Sequence, residues 1–282
     1  MTDRLYIDEV PIFETYGVFV AQYNYKSVAQ FPKFKAFTIN DWAEEDGVEV
    51  DLSAPKFESR QITIKFFAEE LIQVTALIEL LSDGAYHEFN MTEIGKTLKL
   101  RYVSSSSTSL FIKSGSFSIT LADDFPFRDY EYLAATPLTE VWQQGYKIDD
   151  VDLSSYGIWV LNGTDAELLK QAAVKPNLTI NTSAIDGVVY DAEVVKYKAK
   201  NANLKFLINA PDRVTFWRNY NAFFYNLTQP NEREIEYTIQ GVTKKFSCYY
   251  SSSEVSKLDV LTSGRVWCEF NVTLVINKEI NE

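Results

Sequence analysis

The sequence predicts a mostly β, α+β protein: two tandem sandwich- or barrel-like domains, each with one flanking helix. Three observations predict it. Short motifs recur in order about 140 residues apart. Tyr and Phe number 17 and 19 against 11 Gly and 8 Pro, a balance that suits pleated, half-buried strands. Each half has one stretch of helical apolar spacing among segments that alternate with the period of a strand.

Tyr16-Gly17-Val18-Phe19-Val20 recurs 140 residues on as Tyr156-Gly157-Ile158-Trp159-Val160. Asp46-Gly47-Val48 recurs at the same spacing as Asp186-Gly187-Val188. The same offset matches Lys35 with Lys175, Asp51 with Asp191 and Lys56 with Lys196. Insertions then lengthen it. Tyr102-Val103-Ser104-Ser105-Ser106 matches Tyr249-Tyr250-Ser251-Ser252-Ser253 at 147, and Phe117-Ser118-Ile119-Thr120-Leu121 matches Phe270-Asn271-Val272-Thr273-Leu274 at 153. Ordered self-similarity marks repeated units. The expected division is 1–122 for the first domain, 123–150 for an aromatic-rich connector and 151–282 for the second.

Each copy reads alike from its start. A strand opens it, over 16–22 or 156–161. A short helix follows; Thr164 as N-cap with Glu167 three residues on forms a capping box, and Pro176 ends it. A turn is built on Asp46-Gly47 or Asp186-Gly187, because Gly tolerates positive φ. Next comes a strongly alternating strand, 61–66 or 203–208. The main helix follows. Leu71, Val74, Leu77, Ile78 and Leu81 share one of its faces, as do Val214, Trp217, Tyr220, Phe224 and Leu227, with Asp212 as N-cap. Three strands close each copy, over 86–91, 97–103 and 116–122, and over 234–239, 244–250 and 266–276. Serines 104–107 and 251–253 read as exposed loop starts. The connector holds Tyr130, Tyr132 and Trp142, too aromatic for a free linker, and should dock on one or both domains.

The net charge of −12 argues against a nucleic-acid binder and against adhesion to anionic membranes. No apolar run approaches the roughly 18 residues that span a bilayer. The first residues lack the pattern of a signal peptide, and Cys248 and Cys268 are too few for a disulfide scaffold. A soluble protein made in a reducing cytoplasm is the expectation, with six Asn-x-Ser/Thr sequons as a by-product of composition.

His87 is the single histidine, so no paired-histidine metal site exists, and a catalytic triad would have to run through it. It is expected to be structural or solvated. No Gly-x-Ser-x-Gly elbow, dinucleotide fingerprint or P-loop occurs. Cys248 and Cys268 are expected as core thiols on neighbouring strands, where they could face each other. The acidic runs Asp149-Asp150-Val151-Asp152 and Glu44-Glu45-Asp46 lack the ligand spacing of a calcium loop and read as solvated charge. No catalytic, metal or cofactor-binding residue is assigned. A hydrolase needs only a carboxylate pair, and 39 acids offer no means of choosing one.

The stretch Asp152-Leu153-Ser154-Ser155-Tyr156-Gly157-Ile158 has a weaker first copy in Thr15-Tyr16-Gly17-Val18. With the two Asp-Gly turns and the alternating strands after them, it resembles the N-terminal domain of the distal tail proteins of long-tailed bacteriophages. The resemblance covers most of both repeats, through short motifs. It implies a tail-tube-like fold in each copy. It departs from that family in one respect: such proteins pair a single domain of this kind with a different C-terminal module. A tandem copy is closer to a tail-tip hub, where three chains supply six domains to a six-fold tube.

The resemblance therefore implies a non-enzymatic virion protein of the phage tail, made in the host bacterial cytoplasm. It would form a trimer or hexamer ring, as a hub or as a distal tail adaptor. Its partners would be the tail tube protein and tail-tip or baseplate proteins, with DNA only as passing cargo in an acidic lumen and no membrane contact. Tyr16, Gly17, Asp46, Gly47, Tyr156, Gly157, Asp186 and Gly187 would shape the first strand and the turn of each copy. The alternative is a two-domain carbohydrate-binding or adhesion module with exposed Trp or Tyr platforms.

Overall fold

The computed structural model describes residues 4–21, 24–69, 71–110, 114–177, 179–190 and 195–280. The chain runs β1 (Leu5–Ile7), β2 (Val10–Pro11), α1 (Ile12–Tyr16), β3 (Val18–Val20), α2 (Lys26–Ala29), β4 (Ile39–Asn40), β5 (Glu49–Val50), β6 (Arg60–Ala68), α3 (Leu71–Leu81), β7 (Tyr86–Met91), β8 (Lys96–Leu110) and β9 (Gly115–Asp123). It continues β10 (Tyr146–Ile148), β11 (Val151–Asp152), a 3-10 turn (Leu153–Tyr156), β12 (Ile158–Val160), α4 (Thr164–Leu169), β13 (Thr179–Ile180), β14 (Val189–Tyr190), β15 (Lys200–Ala210), α5 (Arg213–Leu227), β16 (Arg233–Ile239), β17 (Val242–Val260) and β18 (Val266–Ile280).

The protein is mostly β, with two curled seven-stranded sheets and few helices. The first sheet has the order β2-β1-β7-β8-β9-β6-β3, and the second β11-β10-β16-β17-β18-β15-β12. Strand for strand these are one order. A separate two-stranded hairpin accompanies each sheet, β4-β5 and β13-β14. The isolated bridge Phe34–Phe57 has its counterpart in Val174–Tyr197, 140 residues on at both ends.

Side chains repeat this correspondence. Arg60 Nη1 donates to the carbonyl of Val28 at 3.1 Å and to that of Gln30 at the end of α2. Lys200 Nζ donates to Leu168 at 2.6 Å and to Lys170 at the end of α4. A cation thus satisfies the free carbonyls of each short helix. In the ladders, Arg60 pairs with Asp123 and Lys200 with Ile276, which makes Asp124 the counterpart of Asn277. Tyr102 pairs with Leu121 and Tyr250 with Leu274, each just before a bulge. The correspondence in these strands is therefore 148, one more than the offset of 147 expected from the serine runs. Tyr102 answers to Tyr250, and Ser105 to Ser253.

Alternation along β6, β7, β9, β15 and β18 puts Ile62, Ile64, Phe66, Phe89, Met91, Leu121, Leu204, Phe206, Phe270, Val272 and Leu274 inside with almost no exposure. Burying a side chain of this size stabilises by about 1.5–3 kcal/mol.

Several expectations are corrected. Tyr16 and Tyr156 do not begin a strand. Each ends a helical turn, and Gly17 (φ 58°) and Gly157 (φ 68°) close it in the left-handed conformation. The strand starts one residue later; Gln22, the expected end of the first one, lies outside the described residues, as does Asp191. Thr164 is the first residue of α4, not its cap, which is Gly163. The Thr164 hydroxyl is buried and accepts from Lys205 N of β15 at 3.0 Å, so the sheet takes what the capping box would have used. The helix ends at Leu169, ahead of Pro176. Val214 is 78% exposed, off the apolar face assigned to it. Serines 104–107 and 251–253 lie within β8 and β17. The connector ends in strand, since β10 pairs with β16.

Candidate functional site

The chemistry-bearing side chains are placed structurally. His87 is buried; Nδ1 lies 2.6 Å from Asp8 Oδ2 and Nε2 3.2 Å from Asp83 Oδ1. Asp8 also accepts from Glu88 N, fixing the left-handed Asp8-Glu9 hairpin turn to β7. Burial alone would lower the imidazole pKa, but its bonds to Asp8 and Asp83 outweigh it and raise it. In the second sheet Asp149 holds the equivalent turn: it accepts from Glu234 N at 2.9 Å and from Arg233 Nη1 at 2.8 Å. A histidine in one copy thus stands where an arginine stands in the other.

Cys248 and Cys268 are buried free thiols, raised by burial. They lie on neighbouring strands but do not face each other. Cys248 is opposite Ile276, and Cys268 is opposite Leu258. The Asp149–Asp152 run is less solvated than expected: Asp152 caps the 3-10 turn through Ser154 N, and Asp149 is ion-paired. Asp150, Glu234 and Glu236 bring carboxylate oxygens within 4.8 Å of one another, and sequence reading did not group them. Lys147 Nζ lies 2.7 Å from Glu236, and Lys245 Nζ 3.3 Å from Glu234, so cations of the protein already balance the cluster.

The motif residues lead to a different kind of site, a contact between the two copies. Residues 30–58 leave the first sheet as an arm and lie on the second. Phe31 stacks on Phe224 of α5 at 4.2 Å and meets Tyr250 edge-on at 5.9 Å. Its amide donates to Ser253 Oγ at 3.0 Å. At the arm's tip, Asp46-Gly47-Val48 is hydrogen-bonded at each residue. Gly47 N donates to Tyr197 O at 2.8 Å, and Asp46 Oδ1 accepts from Tyr197 N at 2.8 Å. Asn277 clamps Val48, with Oδ1 accepting from its amide and Nδ2 donating to its carbonyl at 2.7 Å. Buried Lys175 donates to the carbonyls of Trp42 (2.7 Å) and Gly47 (2.6 Å) and pairs with Asp41 at 2.6 Å. A Cβ on Gly47 would collide with the Asn277 side chain and carbonyl, so close approach demands glycine there as firmly as its φ of +72° does.

Helix α5 is the core of this contact. Phe223 packs on Phe206 of its own sheet, while Tyr220 donates to Ala29 O at 2.7 Å and Trp217 Nε1 to Ile94 O at 2.7 Å in the first copy. The connector closes a third side, as its aromatic content predicted. Asn219 exchanges two hydrogen bonds with Thr136, and Tyr132 packs on Tyr225 at 4.8 Å. Between the copies lies a cavity of about 600 Å³ with Arg60, Lys96, Asp123 and Trp217 in its wall. Burial pushes the Lys96 ammonium down to about 8, and the cation sits 4.7 Å from the Trp217 ring centre.

Of the eight motif residues, Asp46 and Gly47 are brought into this contact. Tyr156 donates no chemistry; its hydroxyl accepts from Asn226 Nδ2 at 2.8 Å. Asp186 and Gly187 are exposed, with nothing near the glycine. Sequence reading missed Asn277, Lys175 and Ser253, whose roles depend on a partner more than 100 residues away.

No family model matches the chain, and no curated protein matches it. Among solved structures it is similar to the Dit (gp 19.1) protein of phage SPP1, described as a paradigm of the hub adsorption apparatus in phages infecting Gram-positive hosts. The identity is 7% over 98% of each chain, with a TM-score of 0.32. Similarity at that level assigns neither family nor activity. No helix among the described residues is long and apolar enough to cross a membrane.

Proposed function

We propose that this chain is a non-enzymatic structural component of a bacteriophage or prophage tail tip, a ring that joins the tail tube to the hub or baseplate. The observation that carries the reading is the tandem of two sheets with one strand order, joined by an arm of the first copy laid on the second. Such a chain offers two like units in fixed relation, the form in which few chains can meet a tube of higher symmetry. The Asp-x-x-x-Tyr-Gly stretch at 152–157 supports the same reading. In it the Asp152 side chain caps a turn and Gly157 ends it, ahead of the edge strand β12.

Deleting the gene from the phage or prophage and imaging the particles tests this. Tails without tips, or free tubes and heads, with antibody against the chain marking the tip of wild-type tails, is the expected result. Intact, infectious tails without it would refute the proposal.

Exposed Trp142, 66% accessible and edge-on to Trp159 at 4.2 Å, favours the second reading, a glycan-binding module. Glycan-array binding lost in Trp142→Ala would select it.

A further inference from the structure

We infer that the second arm, residues 170–198, docks on the first copy of another molecule of this chain, repeating between molecules the contact the first arm makes within one. The inference extends the ring reading but stands without it, because it rests on the correspondence between the two halves.

The tip of the donor is built and bare. The second arm has the same bridge, the same short hairpin and the same Asp-Gly tip as the first, with Gly187 at φ +81°. Yet a Cβ on Gly187 would meet nothing within 4 Å, and Val188 and Val189 are each more than half exposed. At the first arm's tip the same glycine is buried against Asn277 and the valine after it is hydrogen-bonded to Asn277 through both backbone groups.

The acceptor is also built and open. In the second copy the arm's tip is gripped by Lys175, Lys196, Tyr197 and Asn277. Their counterparts Lys35, Lys56, Phe57 and Asp124 line an open cavity of about 710 Å³ on the first copy. Ser105, the counterpart of the Ser253 that receives Phe31, is exposed.

The chemistry of the parts agrees. Lys196 faces Asp46 at 3.9 Å, and Lys56 would face Asp186 in the same way. Lys35 would take the carbonyl of Gly187, as Lys175 takes that of Gly47. Asp124, whose carboxylate already accepts from Arg101 and Tyr86, would also accept the Val188 amide, though a carboxylate cannot donate back as Asn277 does. Gln171 stands where Phe31 stands, so the contact between molecules is less apolar than the one within. It is fitted to assembly of folded chains. Donor and acceptor are different residues of the chain, so each contact leaves one of each unfilled, and head-to-tail repetition gives a closed ring or a filament.

The test is disulfide trapping of the full chain carrying Val188→Cys together with Asp124→Cys, oxidised mildly and run without reductant. The native thiols are buried and do not compete. A ladder of covalent oligomers from the double variant is expected, none from either single variant, and none from Val188→Cys paired with Val214→Cys on a remote exposed position. A double variant that stays monomeric at the highest concentration the protein tolerates overturns the inference. So does a ladder equal to that of the remote pair. Light scattering supplies an independent reading. Lys56→Glu should weaken self-association roughly tenfold with an unchanged circular dichroism spectrum, and adding Asp186→Lys should restore it; no change, or no rescue, overturns the inference too. Cross-linking without tail localisation would refute only the proposed function, and tail localisation without cross-linking only this inference.

Discussion

Two arms of one design sit in opposite surroundings. Residues 30–58 and 170–198 share a bridge, a hairpin and an Asp-Gly tip, but the tip of the first is buried against Asn277 of β18 while the tip of the second, Asp186-Gly187-Val188, is exposed with nothing near the glycine. The difference teaches that local sequence sets the shape of a loop while its neighbours set what the loop is worth. Gly47 and Gly187 have nearly the same φ, so both need the conformational freedom of glycine. Only Gly47 also needs the missing Cβ.

The sharpest way to break this comparison is to cut the anchor of each arm. Phe31→Ala removes a ring stacked on Phe224 and should cost about 3–5 kcal/mol in urea unfolding. Gln171→Ala on the exposed arm should change stability by less than about 0.5 kcal/mol. Equal losses would mean that the arms are not in different environments. Next come the tips. Gly47→Ala and Gly187→Ala share a left-handed backbone cost of about 1–2 kcal/mol. Gly47→Ala adds the collision with Asn277, typically another ~1–3 kcal/mol for overpacking. The drop in Tm should therefore be clearly larger at 47 than at 187 in the isolated chain.

A smaller effect separates Tyr220→Phe, which leaves the ring and removes only its bond to Ala29 O. The loss should be about 1 kcal/mol.

The smallest contrast is in pH. The folded pKa of His87 is raised, so the stability it lends the Asp8 turn is fully present below the unfolded value near 6.5 and fades as pH rises through the folded pKa. In the second sheet an arginine, Arg233, takes that place beside Asp149. His87→Arg should therefore flatten the pH dependence of Tm between about pH 5 and 8. An unchanged slope would show that another group sets it.

Much of this was legible from residues alone. Period-two alternation located β6, β7, β9, β15, β16 and β18, and helical spacing located α3 and α5 with Asp212 as the cap, where Oδ1 accepts from Thr215 N at 2.8 Å. Tyr16-Gly17 reads as the start of a strand because Val18-Phe19-Val20 follow it, although a glycine after a short polar turn is equally a helix end. Serines 104–107 read as loop because a strand bulged against its neighbour needs no apolar alternation. The short strands β1 and β10, one in from each sheet's edge, carry no periodic signal, being three residues each. The docking of the first arm's tip was not legible, since Asn277 reads as one polar residue in a strand until Val48 is brought to it.

Helix α5 has a consequence for synthesis. The first sheet is complete in sequence at residue 123, yet the helix that covers Phe31 and bonds to Ala29 and Ile94 is finished only at residue 227. At about 5–20 residues per second, a ribosome leaves that apolar face uncovered for roughly 5–20 s. Through that interval the nascent first copy is a client for chaperones and a target for proteases, and truncations ending before residue 213 inherit that fate permanently.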